Sequence, residues 1–309
     1  MKTLRVHLED YLRLRRQLGY KMKEAGFQLR NFVRFAEREG ADFVSTTLAV
    51  EWAAQPHVKP AQAGSRLGML RRFAAYVSAH DERTVVPPQK LLPYHLHRRE
   101  PYHYTEQDVL RLIAAARSIS SGNRIKGSTL GTLFGLLAVT GMRVGEALAL
   151  ERGDLDANRA LLSIRQAKGN KARRIPLHNS TVAALREYAS IRDRVYPQST
   201  HPSFFVWEGG GRVVYDSVNR WFLFVATQLG LRKPGDPCGP RVHDLRHYFA
   251  IGTLLNWYRS NADVETRLPE LATYLGHTHV RDTYWYLSAV PELLKLATRR
   301  WERGEKRGT

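Results

Sequence analysis

The sequence is poor in cysteine, in long apolar runs and in negative charge, and each shortage excludes a class of protein. Its 309 residues include one cysteine, Cys238, which excludes an internal disulfide framework and fits a reducing cytosol. The richest apolar stretch, Leu133 to Val139, is far shorter than the roughly 18 residues of a membrane helix. Acidic Glu9 and Asp10 interrupt the N-terminal segment, so we expect no signal peptide. These shortages predict a cytoplasmic protein with no membrane partner.

Positive charge is what the sequence has in excess. Lys plus Arg number 48 against 29 Asp plus Glu, a net charge of +19, while 43% hydrophobic residues are typical of a folded globular chain. Residues 1–100 carry a net +8 and the remainder +11, so the excess is not confined to one tail. Two basic halves favour a polyanion bound by both, and nucleic acid is the first candidate. The alternative is a basic protein whose charge serves only solubility.

The first hundred residues are patterned as helices with basic faces. Apolar residues recur at helical spacing over 29–36 and 67–77, a helix is predicted from Leu4 to Leu18, and a short one follows Thr46. Arginines lie off both apolar stripes and are candidate DNA contacts, although any single one could simply be solvated. They are Arg30, Arg34, Arg66, Arg71 and Arg72.

Four prolines between Val86 and Tyr104 mark a boundary. We predict a helical DNA-binding domain over 1–90, a linker over 91–104 and a catalytic domain over 105–309. Two strands, 161–167 and 173–177, are predicted around a turn, with a short pair at 204–207 and 212–214. Helices are predicted at 105–117, 128–139, 218–229, 243–257, 267–275 and 290–301.

Two segments of the second half offer cations to a phosphate. Arg143, in TGMRVGEALAL, is predicted at a helix start, where backbone N–H groups also point outward. Lys168 and Lys171 lie on the turn of KGNKARRIPL, from which either side chain could reach a bound nucleic acid. Each signal is weak alone, since surface arginines and turn lysines are common.

Two further segments supply histidines and tyrosines. In VHDLRHYFA, His243 and Arg246 share a helix face, while His243 and His247 have the four-residue spacing of a two-histidine metal site. His277 follows a glycine in LGH, and Tyr286 lies nine residues later. Tyr274 and Tyr284 are nearby rivals to Tyr286.

The ordered set of these motifs resembles the tyrosine recombinases, also called the phage integrase family, over about residues 105–300. The resemblance implies a mostly α fold with a small antiparallel β-sheet: an N-terminal helical core-binding bundle and a mixed α+β catalytic domain that form a C-shaped clamp on DNA. The string DTYWYLSAVPELL resembles recombinases of transposon-like mobile elements. No additional N-terminal arm-binding domain is expected, so a simple pair of core sites is the predicted target.

The resemblance also implies a mechanism without cofactor or metal. Tyr286 would attack a DNA phosphodiester to form a 3′-phosphotyrosyl bond, and Lys168 would protonate the departing 5′-oxygen. Two arginines would stabilise the phosphate, His277 would donate to it, and His243 would position it and assist proton transfer. The six implied catalytic residues are Arg143, Lys168, His243, Arg246, His277 and Tyr286. Lys171 and Arg173 are expected DNA contacts, whereas Glu146 and Asp244 are expected to support local structure.

The implied partners are double-stranded DNA with paired recombination sites and further copies of the chain. Four protomers would exchange strands through a Holliday junction, on the nucleoid of a prokaryote, with partner recombinases or DNA-bending proteins as accessories. The C-terminal helix, around 290–296, is predicted to dock on a neighbouring protomer, with packing in cis as the alternative. Three other functions stay open: a metal-dependent nuclease using His243 and His247, a catalytically silent DNA-binding regulator, and a monomeric type IB topoisomerase.

Overall fold

The chain folds into two compact units that divide at residues 99 and 100. The computed structural model describes residues 2–92, 100–119, 125–165, 172–236, 238–289 and 291–305. Within these ranges, no helix combines the length and the apolar character needed to cross a membrane.

The first unit is a bundle of four helices: α1 (Leu4–Gln17), α2 (Lys23–Arg38), α3 (Thr46–Ala53) and α4 (Pro60–Ser78). Thr3 and Ser45 cap the starts of α1 and α3 by accepting a hydrogen bond from a backbone N–H of the first turn. The apolar stripes of α2 and α4 face a core that includes Phe32, Trp52 and Phe73, each at most 1% exposed. The helices predicted for this region are confirmed.

The second unit contains nine further α-helices among the described residues. They are α5 (Glu106–Arg117), α6 (Ile125–Thr140), α7 (Val144–Ala149), α8 (Asn179–Val195), α9 (Tyr215–Gln228), α10 (Asp244–Arg259), α11 (Val264–Leu275), α12 (Arg281–Ala289) and α13 (Pro291–Glu305). Helix α6 is apolar around most of its circumference because α5, α8 and α10 pack against it. This central position fixes the C-terminal end of α6 beside the start of α10.

A small sheet lies in the same unit, with three antiparallel strands in the order β1 (Leu155–Asp156), β2 (Leu161–Ile164) and β3 (Arg173–Pro176). Leu162 pairs with Ile175, and both side chains are buried in the core. The predicted turn lysines Lys168 and Lys171 lie outside the described residues. The fold class predicted from the sequence, mostly α with a small antiparallel sheet, is confirmed.

The predicted strand pair at 204–207 and 212–214 was too long. Only one bridge forms, between Val206 and Arg212. The Arg212 guanidinium donates to the Leu148 carbonyl at 2.8 Å, and helix α9 begins at Tyr215, so the chain leaves the pairing after a single step.

The C-terminal helices build a separate small core. Leu254 of α10, Leu275 of α11, Tyr286 of α12 and Leu293 of α13 are each at most 1% exposed within it. Arg259 also donates to Glu292 at 2.8 Å. In the single chain, therefore, α13 packs in cis against α10.

Candidate active site

The ends of two helices hold Arg246 in place. Its Nη1 donates to the Gly141 carbonyl at 2.8 Å and its Nη2 to the Leu275 carbonyl at 2.9 Å. These carbonyls lie at the C-terminal ends of α6 and α11, where unpaired C=O groups and the helix dipole favour a cation. Burial and neighbouring charges lower the pKa of Arg246 to about 10, so the guanidinium remains charged at neutral pH.

Arg143 is positioned by its own helix and by the end of α11. As the residue that caps α7, it donates its backbone N–H to Glu146 Oε2 at 3.0 Å and its Nη1 to Glu146 Oε1 at 2.9 Å. Its Nη2 donates to the Gly276 carbonyl at 2.7 Å. About a quarter of the side chain, 24%, remains exposed, which leaves part of the guanidinium accessible to an anion.

Gly141 and Gly276, whose carbonyls accept hydrogen bonds from Arg246 and Arg143, lie at positions where a side chain would not fit. Gly141 and Gly276 have φ of 60° and 69°, in the left-handed region that residues with a Cβ avoid. A Cβ on Gly276 would lie 2.9 Å from Arg173 Nη1, and one on Gly141 would collide with the Phe249 ring. The glycines of TGMR and LGH therefore let both carbonyls approach the guanidiniums.

Glu146 joins Arg143 to a second arginine, Arg173. The Glu146 carboxylate is 5% exposed and accepts from Arg173 Nη1 at 3.0 Å and Nη2 at 2.8 Å. Arg173 Nε also donates to the Tyr274 carbonyl at 2.9 Å. Glu146 thus supports local structure, as expected. Arg173 is bound to Glu146 and Tyr274 in the chain without DNA, and its predicted DNA contact stays a prediction.

The charges around Glu146 keep it ionised. Burial alone would raise the pKa of its carboxyl, but hydrogen bonds from Arg173 and Arg143 outweigh burial and hold it below the ordinary 4.5. A carboxyl with a lowered pKa in the folded state stabilises the protein fully above its unfolded pKa. That contribution is lost as pH falls through the lower folded value.

Glu146→Gln is expected to lower the free energy of unfolding by about 3 to 5 kcal/mol at pH 7, because two arginines then face each other without their carboxylate. The deficit relative to the unmodified chain should shrink as pH falls below the ordinary carboxyl value of 4.5 and through the lower folded pKa, where Glu146 itself becomes protonated. Urea unfolding at pH 7 and pH 3 measures both effects. Glu187→Gln, at an exposed position of α8, is the matched control and should change little. A pH-independent deficit would contradict the ion cluster.

Two histidines flank the arginines. His243 is the residue before α10 and is exposed at the surface. Partial burial of the imidazole and, next, the Arg246 cation lower the pKa of His243 to about 4. The ring is therefore neutral at pH 7. His277 follows α11, and its Nδ1 lies 2.7 Å from the hydroxyl of the fully buried Thr283. This contact fixes the plane of the imidazole. Nε2, on the opposite side of the ring, is then the nitrogen that could donate to a phosphate.

Tyr286 is the tyrosine that the fold brings to these groups. Its hydroxyl lies 3.1 Å from His247 Nδ1, its ring stacks on His277 at 6.4 Å between centroids, and its charge state influences the pKa of Arg246. Only 1% of Tyr286 is exposed. The rival Tyr284 is 51% exposed, and Tyr274 stacks on Phe249 with a pKa that burial raises to about 12.

Of the other side chains predicted to contact DNA, some already contact protein groups and others are exposed. In the N-terminal bundle, Arg30 donates to Glu9 at 3.0 Å, and Arg66 lies over the Trp52 ring at 4.7 Å. Arg34 and Arg72 are exposed, while Arg71 is half-buried. The DNA contacts of this bundle stay predictions, with Arg34 and Arg72 the most accessible of the set.

The described part of the chain does not favour the metal-dependent alternative. No group of three or more His, Cys, Asp or Glu side chains there is arranged to hold a metal ion. The rings of His243 and His247 are 4.8 Å apart and nearly perpendicular, and His247 directs Nδ1 to Tyr286. The four-residue spacing of His243 and His247 therefore places both rings on one side of α10, where His247 contacts Tyr286.

Comparison with known proteins identifies the family. The model described as the phage integrase family matches residues 103–292. The chain belongs to the phage integrase family. The chain is 42% identical over 308 residues, 98% of each chain, to y4rB of Sinorhizobium fredii, a protein named as an integrase/recombinase. It is 27% identical over 241 residues, 78% of this chain and 71% of the other, to tyrosine recombinase XerC of Chlamydia trachomatis serovar D. The resemblance drawn from the sequence motifs is confirmed.

Solved structures share the fold of this chain. The Tn1549 transposon integrase in complex with transposon right end DNA aligns with a TM-score of 0.65 at 14% identity, covering 98% of this chain and 99% of that one. A lambda integrase tetramer bound to a Holliday junction aligns with a TM-score of 0.59 at 19% identity, covering 90% and 78%. The fold is therefore that of known recombinases.

Proposed function

We propose that this protein is a site-specific DNA recombinase that cleaves and rejoins DNA through a 3′-phosphotyrosyl bond to Tyr286. One observation carries the proposal: Arg143 and Arg246 are held by the carbonyls of Gly276 and Leu275 at the end of α11, directly before His277, whose ring stacks on the buried Tyr286. The named relatives and the DNA-bound neighbours of the same fold support it. The bond energy stays in the phosphotyrosyl ester, so rejoining needs no nucleotide cofactor.

Each side chain then has a role in stabilising an anionic phosphorus centre. Arg143 and Arg246 are permanently charged planar forks that bind the non-bridging oxygens, and their fixed positions require little reorganisation during attack. His277 donates a hydrogen bond to the same phosphate, and the neutral His243 positions it. Lys168, outside the described residues, protonates the leaving 5′-oxygen.

The buried nucleophile implies a conformational step before cleavage. With 1% of Tyr286 exposed, its hydroxyl is out of reach of a duplex phosphate in the chain without DNA. Tyr286 lies on the nine-residue helix α12, between the turn at His277 and the start of α13. We infer that DNA binding uncovers the hydroxyl, so that the phosphate reaches it at its place beside His247.

We propose that both units bind the duplex and that the recombining species is a tetramer on two sites. Basic charge on both halves of the chain supports the first point. The lambda integrase tetramer on a Holliday junction supports the second. For assembly, α13 would leave its cis position against α10 and dock on a neighbouring protomer, which the sequence predicts. The domains would span 1–90 and 105–309, joined by the linker 91–104.

The biological setting follows from the chemistry and the relatives. We propose integration, excision or transposition of a mobile element, carried out in the cytoplasm on the nucleoid. Partner recombinases and DNA-bending proteins remain candidate accessories. A catalytically silent regulator is disfavoured because such a protein would have no need for a tyrosine held beside His277 and close enough to Arg246 to affect its pKa.

Excess EDTA is expected to leave covalent-complex formation unchanged, because arginines supply the charge that a divalent cation supplies in nucleases. DNA binding should weaken steeply between low and moderate salt, as phosphate neutralisation requires. Covalent complexes are measured on denaturing gels with and without EDTA, and a magnesium-dependent endonuclease on the same DNA is the control. Loss of the complex in EDTA, with recovery on adding magnesium or manganese, would contradict the recombinase mechanism and favour the metal-dependent nuclease.

A further inference from the structure

A buried histidine and a buried aspartate lie in line behind the Tyr286 hydroxyl. His247 is 4% exposed and Asp244 is 0% exposed, and both lie on α10, three residues apart. His247 Nδ1 is 3.1 Å from the hydroxyl oxygen, and His247 Nε2 is 4.0 Å from Asp244 Oδ1. A hydroxyl, an imidazole and a carboxylate in this order are the components of an activated nucleophile.

A buried carboxylate faces one of the two imidazole nitrogens and favours a proton on it. Asp244 is fixed by Arg241, whose backbone N–H donates to Oδ2 at 2.8 Å and whose Nη2 donates to Oδ1 at 3.2 Å. At 4.0 Å, Nε2 is beyond hydrogen-bond range, but a buried carboxylate still favours a proton on the nitrogen facing it. A proton on Nε2 leaves the Nδ1 lone pair for the Tyr286 hydroxyl, which donates.

We propose that His247 is the proton acceptor for Tyr286 in DNA cleavage, an inference that rests on the proposed function of Tyr286 as the nucleophile. The tyrosine O–H bond breaks, its proton moves to Nδ1, and the phenol oxygen forms the bond to phosphorus. The bond from phosphorus to the 5′-oxygen breaks, and that oxygen takes a proton from the general acid. In rejoining, the imidazolium returns its proton to Tyr286 as the phenol leaves.

A buried carboxylate near His247 fits a group that takes up a proton during attack. Asp244 Oδ1, 4.0 Å from Nε2, favours the imidazolium that would form. His243, to which the sequence assigned proton transfer, lies one turn earlier with its ring 4.8 Å away. The His243 ring is accessible, whereas His247 is the residue in contact with the phenol.

His247→Asn provides the test, because an amide can accept a hydrogen bond near the Nδ1 position but cannot take up a proton. We expect the cleavage rate on a suicide substrate to fall by roughly 10²- to 10⁴-fold, as for loss of a general base. DNA affinity should be unchanged, since His247 is buried away from solvent. An unaltered or faster rate would overturn the proposal and make His247 a resting contact that only shields the tyrosine.

A more acidic phenol separates proton transfer from packing. Replacing Tyr286 with difluorotyrosine, which loses its proton near neutral pH, removes the need for a base. The His247→Asn chain carrying this residue should recover most of the lost rate, while the same replacement in otherwise unmodified protein should gain little. A His247→Asn chain that stays slow with the fluorinated residue would contradict the proposal.

Two further variants keep the test decisive. If His247→Asn fails to fold by thermal melting, Asp244→Asn replaces it, with a smaller expected loss of rate and the same rescue by difluorotyrosine; no rescue there would overturn the inference. Tyr286→Phe in the unmodified background tests the nucleophile separately. A covalent complex that persists in Tyr286→Phe would defeat the proposed function, whereas its loss there, combined with a fast His247→Asn, would defeat only this inference.

Discussion

Tyr286→Phe is expected to form no covalent complex with DNA, because the substitution removes the one oxygen that would bond to phosphorus. The phenyl ring can still stack on His277 within the C-terminal core, so the fold should be retained. Denaturing gels of a nicked suicide substrate, which traps the cleaved state, measure the complex. Gel-shift affinity for the same DNA should stay close to that of the unmodified chain.

Tyr284→Phe is the matched control for that result. It removes the same atom two residues away on α12, from a side chain that is 51% exposed. Its covalent complex should form at a nearly unchanged rate. An undiminished complex in Tyr286→Phe, with loss in Tyr284→Phe instead, would transfer the nucleophile to Tyr284.

Lys168→Ala is expected to slow cleavage of ordinary DNA by roughly 10²- to 10⁴-fold, because an unprotonated 5′-oxygen is a poor leaving group. A substrate with a 5′-bridging sulfur has a far better leaving group and needs no proton donor. The variant should therefore recover most of its rate on the sulfur substrate. Single-turnover cleavage of the two DNAs under matched conditions gives the comparison.

Lys171→Ala is the control for the lysine prediction, since Lys171 lies on the same predicted turn three residues later. It is expected to lose affinity for DNA, with little difference between the two substrates. If sulfur rescues Lys171→Ala and leaves Lys168→Ala slow, the two roles are exchanged. If it rescues neither, the proton donor lies elsewhere, and His243 is the next residue to substitute.

Much of the fold and the candidate site could be predicted from sequence because the decisive signals are local. Apolar spacing locates α2, α4 and α9, and Gly141 and Gly276 mark helix ends. The motif residues Arg143, Arg246 and Tyr286 could be selected together because the family orders them along the chain. The convergence of the two arginines on the ends of α6 and α11 is the part that only the fold supplies.

The contacts that sequence reasoning missed join residues distant in the chain. Arg173 looks like any basic strand residue, yet its partner Glu146 lies 27 positions earlier and its carbonyl contact, Tyr274, 101 positions later. His247 was paired by spacing with His243, whereas its contact, Tyr286, is 39 positions away. Helix α8 was overlooked although Val182, Leu185 and Tyr188 recur every third residue on its buried face.

Mass spectrometry of the trapped complex tests the central claim most directly. After nuclease and trypsin digestion, the peptide following Arg281 carries both Tyr284 and Tyr286, and fragmentation distinguishes them. The account predicts a 3′-linked phosphonucleotide on Tyr286 and an unmodified Tyr284. A nucleotide on Tyr284, or cleaved DNA with no modified peptide, would contradict it.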